Sequence, residues 1–591
     1  MAHESRITRR ALLRGLALGA GAAAGGAFLT ACGTTSSTAT SAPAGNPTAT
    51  TARTTGTAAS GSGATATAPT APRATATSGA AAGGTKAAVE GFLPGGSPDI
   101  TDAYTKFPAA FKTNAPVPTR GGQFSTFQIL YNPPPTARDQ NKYWQELDKR
   151  IGSKWEPTFV AAGSFNEKFA AVLSGGDLSD IVCLGNVVNP NTALNAINQG
   201  AFTDLTPFLD GDNLKNYPNL AAISPRTWKF ARVKNKIYRV PSPLQYMVGA
   251  LVYRKDWADK LGFAQVKNSD DFLKMTTGFS KGDPDGNGAP DTFGIGSNVP
   301  GDFSFNVSVA SMFRVPQEWR KNADGSLTRH IETQEFRQAL DFARQVYAAG
   351  GYHPDATTMD IAKAKELFQA GKLGGFFDNI SNARGEIRRQ LRINVPTAES
   401  TALVPPGFDG GKGSLWANPG YAFSFGISAK AGKDPERVKE LLRVLDFMAS
   451  PIGSEEWRLA TYGVEGVHYT LENDAPKKTE VWDRDRGDFN NLCRAPLAYV
   501  DAPLYTGDAA VLQELQRQTV PLAMDDPNWG LFSTTNASRS AQLAQYDADK
   551  RVAIITGREP LSALDGWISE WKSRGGDQIR QELQQALKES V

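Results

Sequence analysis

Apolar and polar positions alternate from residue 123 to 130, a period of two that predicts a strand. Residues 141–151 then carry apolar side chains at helical spacing. Residues 155–161 return to strand character, 165–173 read as a helix, and 180–184 form a short apolar run that predicts a buried strand. Strand and helix in alternation predict an α/β unit with a largely parallel sheet, because parallel neighbours need a crossover that a helix supplies. Further along, strands are predicted at 251–253 and 422–427, and helices at 269–279, 333–349 and 435–449. The last stretch, 561–591, predicts a helix interrupted at Gly575-Gly576. No tandem repeat is present.

The first 86 residues break this pattern. Arg6, Arg9, Arg10 and Arg14 surround the start of an apolar run at 11–28, which leads into Leu29-Thr30-Ala31-Cys32. A basic patch, a short apolar run and small residues before a cut describe an export signal rather than a spanning helix. Arg9-Arg10 resembles a twin-arginine signal, and the four residues ending at Cys32 resemble a bacterial lipobox, which implies cleavage before Cys32 and a diacylglycerol on its thiol. The competing reading is an ordinary secretory signal with a chance cysteine. Residues 32–86 are almost wholly Thr, Ala, Ser, Gly and Pro, too poor in large apolar groups to offset conformational entropy. They read as a disordered spacer between a lipid and a folded domain at 87–591.

Composition narrows the classes. The 591 residues are 40% hydrophobic, 9% aromatic and 21% charged, with a formal net charge of +3. That balance, without a basic stripe, argues against nucleic acid as a partner. No second apolar run reaches the length of a membrane span. Cys183 and Cys493 remain after Cys32. They lie in no cysteine framework, which favours two separate buried thiols over a disulfide.

Several phrases in order resemble extracellular solute-binding proteins of carbohydrate ABC transporters, of the large alginate-binding type. They are the run from Phe169 through Gly175-Gly176-Asp177 to Ile181, Asn235-Lys-Ile-Tyr-Arg-Val-Pro241, and Tyr253-Arg-Lys-Asp-Trp-Ala-Asp-Lys-Leu-Gly262. Tyr462-Gly-Val-Glu-Gly-Val-His-Tyr469 and Trp571-Lys-Ser-Arg-Gly-Gly-Asp577 complete the set. Ser179, where the family often has proline, and the stiff run Tyr131-Asn132-Pro133-Pro134-Pro135 depart from the pattern. The resemblance implies a two-lobed α/β clamshell of the periplasmic-binding-protein type (type II-like), with several interlobe crossings. Lobe 1 is expected at about 115–245 and 380–448, and lobe 2 at about 249–376 and 450–591, with crossings near 241–249, 376–380 and 447–453.

The segment Asp283-Pro-Asp285-Gly-Asn287-Gly288-Ala289-Pro-Asp291 matches the D-x-[DN]-x-[DN]-G calcium loop. Alternate Asp and Asn side chains wrap oxygen toward one point, and the Ala289 carbonyl adds another; calcium takes six to eight such ligands. Gly294 stands where an EF-hand has its bidentate Glu, so a structural calcium loop of another kind is expected, with a solvated Asn/Gly turn as the alternative. Enzyme signatures are weak. Gly278-Phe-Ser280-Lys-Gly282 matches G-x-S-x-G, but a helix precedes it where a nucleophile elbow needs a strand. His330, His353 and His468 lack metal-ligand spacing, and Asp525-Asp526 reads as a solvated turn before Pro527.

Sugars are held by flat apolar faces and planar hydrogen-bonding groups. Trp144, Trp257, Trp457, Trp567 and Trp571 lie on helices and read as packing residues. Trp416 stands in a Gly- and Pro-punctuated loop and is a cleft candidate, as are Tyr246, Phe376 and Phe377 at expected crossings. Tyr131 and Asn132 follow the first strand, and Tyr462 and Glu465 lie in a Gly-rich loop. Arg254 or Arg384 would suit an acidic sugar if either reached the cleft. The expectation is a lipid-anchored receptor on the outer face of the cell membrane. It binds a saccharide, with an oligosaccharide favoured, and delivers it to ABC permease subunits. A secreted lipoprotein glycosidase or lyase, and a glycan sensor without transport, are the alternatives.

Overall fold

The computed structural model describes residues 90–589 apart from 114–115, 187–190, 248 and 502–506. These residues fall in one compact unit, Gly84–Val591. The export signal, the lipidation candidate Cys32 and the spacer lie outside the described residues.

The chain runs through β1 (Asp102–Tyr104), β2 (Gln123–Leu130), α1 (Lys142–Ile151), β3 (Lys154–Ala161), α2 (Phe165–Gly175) and β4 (Ile181–Asn186). Next come α3 (Pro225–Ala231), β5 (Val240–Pro243), β6 (Gly249–Arg254), α4 (Ser269–Lys281), β7 (Phe293–Ile295), α5 (Gln334–Ala349) and β8 (Leu373–Asn379). Then follow α6 (Glu386–Asn394), β9 (Ser400–Ala402), β10 (Leu415–Trp416), β11 (Tyr421–Ile427), α7 (Pro435–Met448) and β12 (Ala498–Val500). The last elements are β13 (Ala523–Met524), α8 (Thr534–Ile555), α9 (Ala563–Trp571) and α10 (Asp577–Glu589).

Two sheets organise these elements. The first has order β3-β2-β4-β11-β5, with β2 parallel to β3 and β4, and β11 antiparallel to both its neighbours. The second has order β9-β6-β8-β7 and is mixed. In the first lobe, Trp155 is fully buried and stacks on Phe124 at 5.7 Å, and its Nε1 donates to Thr126 Oγ1 at 2.9 Å. A buried indole needs such an acceptor, since an unmet N–H in the core is costly. Asn141 starts α1 because its side chain accepts the Trp144 N–H at 3.0 Å. The second lobe buries Leu251, Trp257, Phe279, Trp567 and Trp571. Cys183 and Cys493 are free and fully buried in the first core, and burial pushes both thiols up to about 12.

The lobe boundaries differ from those expected. β9 pairs with β6, and Ile387 and Leu391 of α6 pack in a core shared with Phe376, so 380–402 belongs to the second lobe. Leu459, Ala460, Phe489 and Leu492 pack in the first core, so the chain after 450 stays in the first lobe until it crosses to β12. β12 pairs with β1, which places 102–104 in the second lobe too. The chain therefore passes between lobes at 105–107, 244–248, 403–420 and 494–497. Apolar periodicity marks a buried face but not which of two cores it enters, and this is why the expected crossings at 376–380 and 447–453 are displaced.

Candidate functional site

The strand directions locate the cleft. β2, β3 and β4 are parallel, so their carboxyl ends share one edge. Phe423 lies opposite Asn186, and Tyr421 opposite Pro243, so the start of β11 and the end of β5 share that edge. The crossing at 244–248 leaves from it and the crossing at 403–420 returns to it. In the second sheet, Gly249 lies opposite Asn379, so the end of β8 faces the same junction. Ligands of open α/β sheets bind outside the carboxyl ends of the strands.

Tyr131 leaves the end of β2 with 54% of its surface exposed, its ring centroid 6.1 Å from Phe423. Asp488 fixes this loop by accepting the Tyr131 N–H at 2.5 Å, the Asn132 N–H at 2.9 Å and Asn132 Nδ2 at 2.8 Å. The Tyr131 face is therefore presented, while the Asn132 amide is spent on Asp488. Nearer the hinge, the Arg226 guanidinium lies 3.6 Å from the Tyr246 ring centroid, 4.9 Å from Phe230 and 5.6 Å from Trp529. It pairs with Asp525 and donates to Asn418 O at 3.1 Å. The Tyr246 hydroxyl donates to Asp525 Oδ1 at 2.9 Å; burial, opposed by Arg226 and aided by Asp525, keeps its pKa raised. Phe377 is half-buried, and its ring lies so close to Gly249 that a Cβ there would stand 2.7 Å from Cε2. Glycine at this crossing is thus a requirement of close approach.

Other candidates sit elsewhere. Phe376 is fully buried against Phe368 at 5.2 Å, because strand alternation turns it to the opposite face from Phe377. It cannot touch a cleft ligand. Trp416 is half-buried against the second core, its Nε1 donating to Val315 O at 2.9 Å. Tyr462 joins Phe107, Trp457 and Tyr469 in an aromatic cluster, at 5.7, 5.6 and 5.9 Å. Glu465 is exposed and accepts from the Tyr469 hydroxyl at 3.4 Å. Arg254 is buried on Asp256, at 2.8 and 2.6 Å, and Arg384 pairs with Glu399 at 3.3 Å. The solvated-turn reading of Asp525-Asp526 fails. Asp525 is the partner of Arg226, and Asp526 is 2% exposed, its carboxyl raised well above the usual range by burial and then by Glu318.

Arg226, Phe423, Asp488, Arg494 and Trp529 escaped the sequence reading. Phe423 alone carried a local signal, the alternation of its strand. Arg226 and Asp525 are 299 residues apart, and no local pattern joins them.

The acidic loop is pulled together by nitrogen donors. Asn287 Nδ2 donates to Asp285 Oδ2 at 2.9 Å and to Asp291 Oδ1 at 3.2 Å. Lys372 Nζ reaches Asp285 Oδ2 at 3.4 Å and Asp291 Oδ2 at 2.5 Å, and this bond holds the Asp291 carboxyl below its ordinary range. Asp283 accepts the N–H groups of Asn287 and Gly288, and Ala289 N–H donates to Asn287 Oδ1 at 2.7 Å. Among the described residues no three acidic, His or Cys side chains are arranged to hold a metal. The donor types suit calcium; in this arrangement the Lys372 ammonium offsets part of the negative charge and the neutral Asn287 amide adds hydrogen bonds. Ser280 lies in the last turn of α4 and accepts the Gly294 N–H at 2.8 Å, so it is not on a strand-to-helix elbow.

Two α/β lobes linked by several crossings, with strand ends facing across the junction, define a clamshell ligand-binding protein. The family of bacterial extracellular solute-binding proteins matches residues 135–455, and the chain belongs to it. It is 25% identical over 477 residues to the polygalacturonan/rhamnogalacturonan-binding protein YtcQ of Bacillus subtilis, covering 79% of this chain and 92% of that one. The alginate-binding protein AlgQ2, solved without calcium ion, superposes with a TM-score of 0.58 at 17% identity, over 80% of this chain and 99% of that one. The substrate-binding protein FusA of S. pneumoniae, solved with kestose, gives 0.58 at 18% identity, over 79% and 99%. No helix among the described residues is long and apolar enough to cross a membrane.

Proposed function

We propose that this protein is a lipid-anchored extracytoplasmic receptor that takes an oligosaccharide between its lobes and hands it to an ABC permease. The observation that carries the reading is the junction itself. An exposed tyrosine face at the end of β2 and an arginine caged by aromatic rings stand at the edge from which the hinge segments leave. Ring faces take the C–H side of a sugar, and polar forks take its hydroxyls. Closing the lobes about such hinges is the signal a transporter reads. Family membership and relatives that bind saccharides support the ligand class.

The anchor is part of the proposal. Lipid at Cys32 and the spacer after it would hold the receptor near its permease at raised effective concentration. Acyl chains contribute about 0.8 kcal/mol per buried CH₂. Cys32→Ala is expected to abolish fatty-acid labelling and membrane retention; equal label in the variant removes the anchor. Calcium at 283–291 is proposed as a structural ion, held by Asp283, Asp285, Asn287, the Ala289 carbonyl and Asp291. It would supply a fixed positive charge among the three carboxylates.

A thermal-shift panel of neutral and acidic oligosaccharides tests the ligand class. A ligand at a hundredfold excess over its Kd adds about 2.7 kcal/mol of stability. Saturable stabilisation by at least one saccharide, recovered intact by chromatography, is expected. No shift across the panel overturns the receptor reading, and cleaved sugar favours the glycosidase or lyase.

A further inference from the structure

Trp482, in the short helix Val481–Arg486 of the first lobe, is a half-buried indole with two cations against it. Lys478 Nζ lies 3.5 Å from its ring centroid and the Arg486 guanidinium 4.7 Å. The helix is tied to the cleft edge. Arg484 O accepts the Thr136 N–H at 3.0 Å, Asp485 Oδ1 accepts the Thr136 hydroxyl at 2.8 Å, and Asp488 just beyond holds the Tyr131 loop that leaves β2. Lys478 ends the hairpin strand Ala475–Lys478, opposite Tyr469.

The lysine rests in an unfavourable place. Arg486 beside it is 6% exposed and donates to two carbonyls, Ala460 O at 3.4 Å and Gly487 O at 3.1 Å. Lys478 is exposed, yet burial lowers its pKa and the Arg486 charge lowers it further. The ring face attracts the ammonium while the like charge repels it. Among the described residues Lys478 makes no ion pair, whereas its neighbour Lys477 takes Glu472 at 2.6 Å. Two carboxylates draw on it, Asp483 and Glu386. Asp483 belongs to the Trp482 helix and travels with Lys478, so its pull is the same however the lobes stand. Glu386 belongs to the second lobe. It is exposed and opens α6, seven residues after β8 ends at the junction. A first-lobe lysine that feels this carboxylate faces it across the cleft, and the attraction grows as the lobes approach.

Resting on the receptor reading, we propose that Lys478 is a closing latch: its ammonium leaves the Trp482 ring for the Glu386 carboxylate when a saccharide draws the lobes together. Glu386 is oriented for this by its own helix, with Arg389 Nε and Nη2 donating at 2.9 and 2.5 Å and Gln390 Nε2 at 2.8 Å. Each carboxylate oxygen can accept more than one bond, so a second cation joins without displacing the first. The move separates two like charges, bridges the lobes and uncovers the indole on the cleft side.

Zero-length carbodiimide coupling tests the latch on the wild-type chain, because it joins a lysine amine to a glutamate only where the two touch. The probes are the neutral and acidic oligosaccharides of the thermal-shift panel. Proteolysis and mass spectrometry are expected to find Lys478 joined to Glu386, at a yield that rises severalfold with the panel member that most stabilises the protein. Calorimetric titration with that saccharide gives the second readout. Lys478→Gln and Glu386→Gln are each expected to lower its affinity about fivefold, and the double variant no further, with the saccharide-free melting temperature unchanged. A coupling yield indifferent to saccharide overturns the latch, as do losses that add in the double variant, since the two side chains would then act separately. Stabilisation by a saccharide without the coupled product removes the latch and keeps the receptor; no stabilisation by any panel member removes both.

Discussion

Tyr246 and Asp525, 279 residues apart in the chain, meet at the hinge, the phenol donating to the carboxylate at 2.9 Å. Tyr246 lies on the crossing between β5 and β6. Asp525 directly follows β13, which pairs with β10 of another crossing through Trp416 and Met524. Arg226 of α3 completes the knot from the first lobe. Beyond Asp525 the same segment sends Leu531 to the second core and Phe532 to the first. A strap so placed ties the lobes, and Met247, Leu415, Ala417 and Leu522 pack together beside it.

Cutting this knot should loosen the hinge more than it destabilises the fold. The Arg226–Asp525 pair is partly exposed, and such pairs contribute about 0–1 kcal/mol. Asp525→Ala is expected to leave the melting temperature nearly unchanged and to speed amide exchange in 244–249 and 523–530, with β4 unaffected. Exchange that is unchanged, or raised evenly through both lobes, would show that the knot does not govern the hinge.

Trp416 is expected to act through stability rather than affinity. Its indole packs on the second core, 6.0 Å from His330, with Nε1 bonded to Val315 O. Trp416→Ala should cost about 3 kcal/mol of folding stability, the low end for a large aromatic because the ring is half-buried. Trp416→Phe, which keeps most of the burial and loses the hydrogen bond, should cost about 1 kcal/mol. Denaturant melts with calorimetry on the folded variants separate the roles; stability kept with sugar affinity lost would return Trp416 to the cleft.

What the sequence made legible was local. β2 spans the residues its alternation predicts, and Asn141 caps the helix that periodicity placed after it. Gly575, at φ 117°, breaks the C-terminal helix at the predicted glycines. What stayed hidden was pairing across long separations. Phe376 and Phe377 are neighbours at one strand end, yet one is sealed in a core and the other lies against Gly249, a distinction fixed by register. Asp526 looks like a surface turn residue, yet the fold buries it within reach of the Glu318 charge. Arg494 carries no motif; its bond to Pro243 O, 251 residues away, is visible only in three dimensions.

The acidic loop offers a prediction with a sign. Lys372 donates to Asp285 and Asp291, the carboxylates a calcium ion would need, and these bonds raise its own pKa. Ammonium and metal therefore compete. Removing bound calcium with a chelator should lower the melting temperature, Asp285→Ala should abolish that response, and Lys372→Ala should tighten calcium binding. Melts indifferent to chelator in protein freed of metal, together with a destabilised Lys372→Ala, would make Lys372 the permanent counter-ion of a plain turn.

Glu582 predicts an acid-sensitive contact between the last helices. Its carboxylate accepts Ser533 Oγ at 2.6 Å, Thr535 N at 2.9 Å and Thr535 Oγ1 at 2.8 Å, which ties α10 to the start of α8, and accepts Gln578 Nε2 of its own helix at 3.0 Å. Burial by itself would raise its pKa; the four donors outweigh burial and hold it down to about 2, from an ordinary 4.5. The folded value lies below the unfolded one, so this contribution is fully present above pH 4.5 and is lost as pH falls toward 2. Asp446 acts in the opposite sense. Burial raises it to about 6, against the Leu220 and Asn219 N–H bonds, so its protonation favours the folded state as pH drops below 6. The wild-type curve mixes both slopes, and the difference between wild type and Glu582→Gln isolates one. That variant should cost about 1 kcal/mol at pH 7, the scale of hydrogen bonds to a charged acceptor on a half-buried side chain. The gap should narrow steadily between pH 4.5 and pH 3 in denaturant melts. A gap that stays constant across that window would mean the carboxylate is not held in its charged form by the α8 terminus.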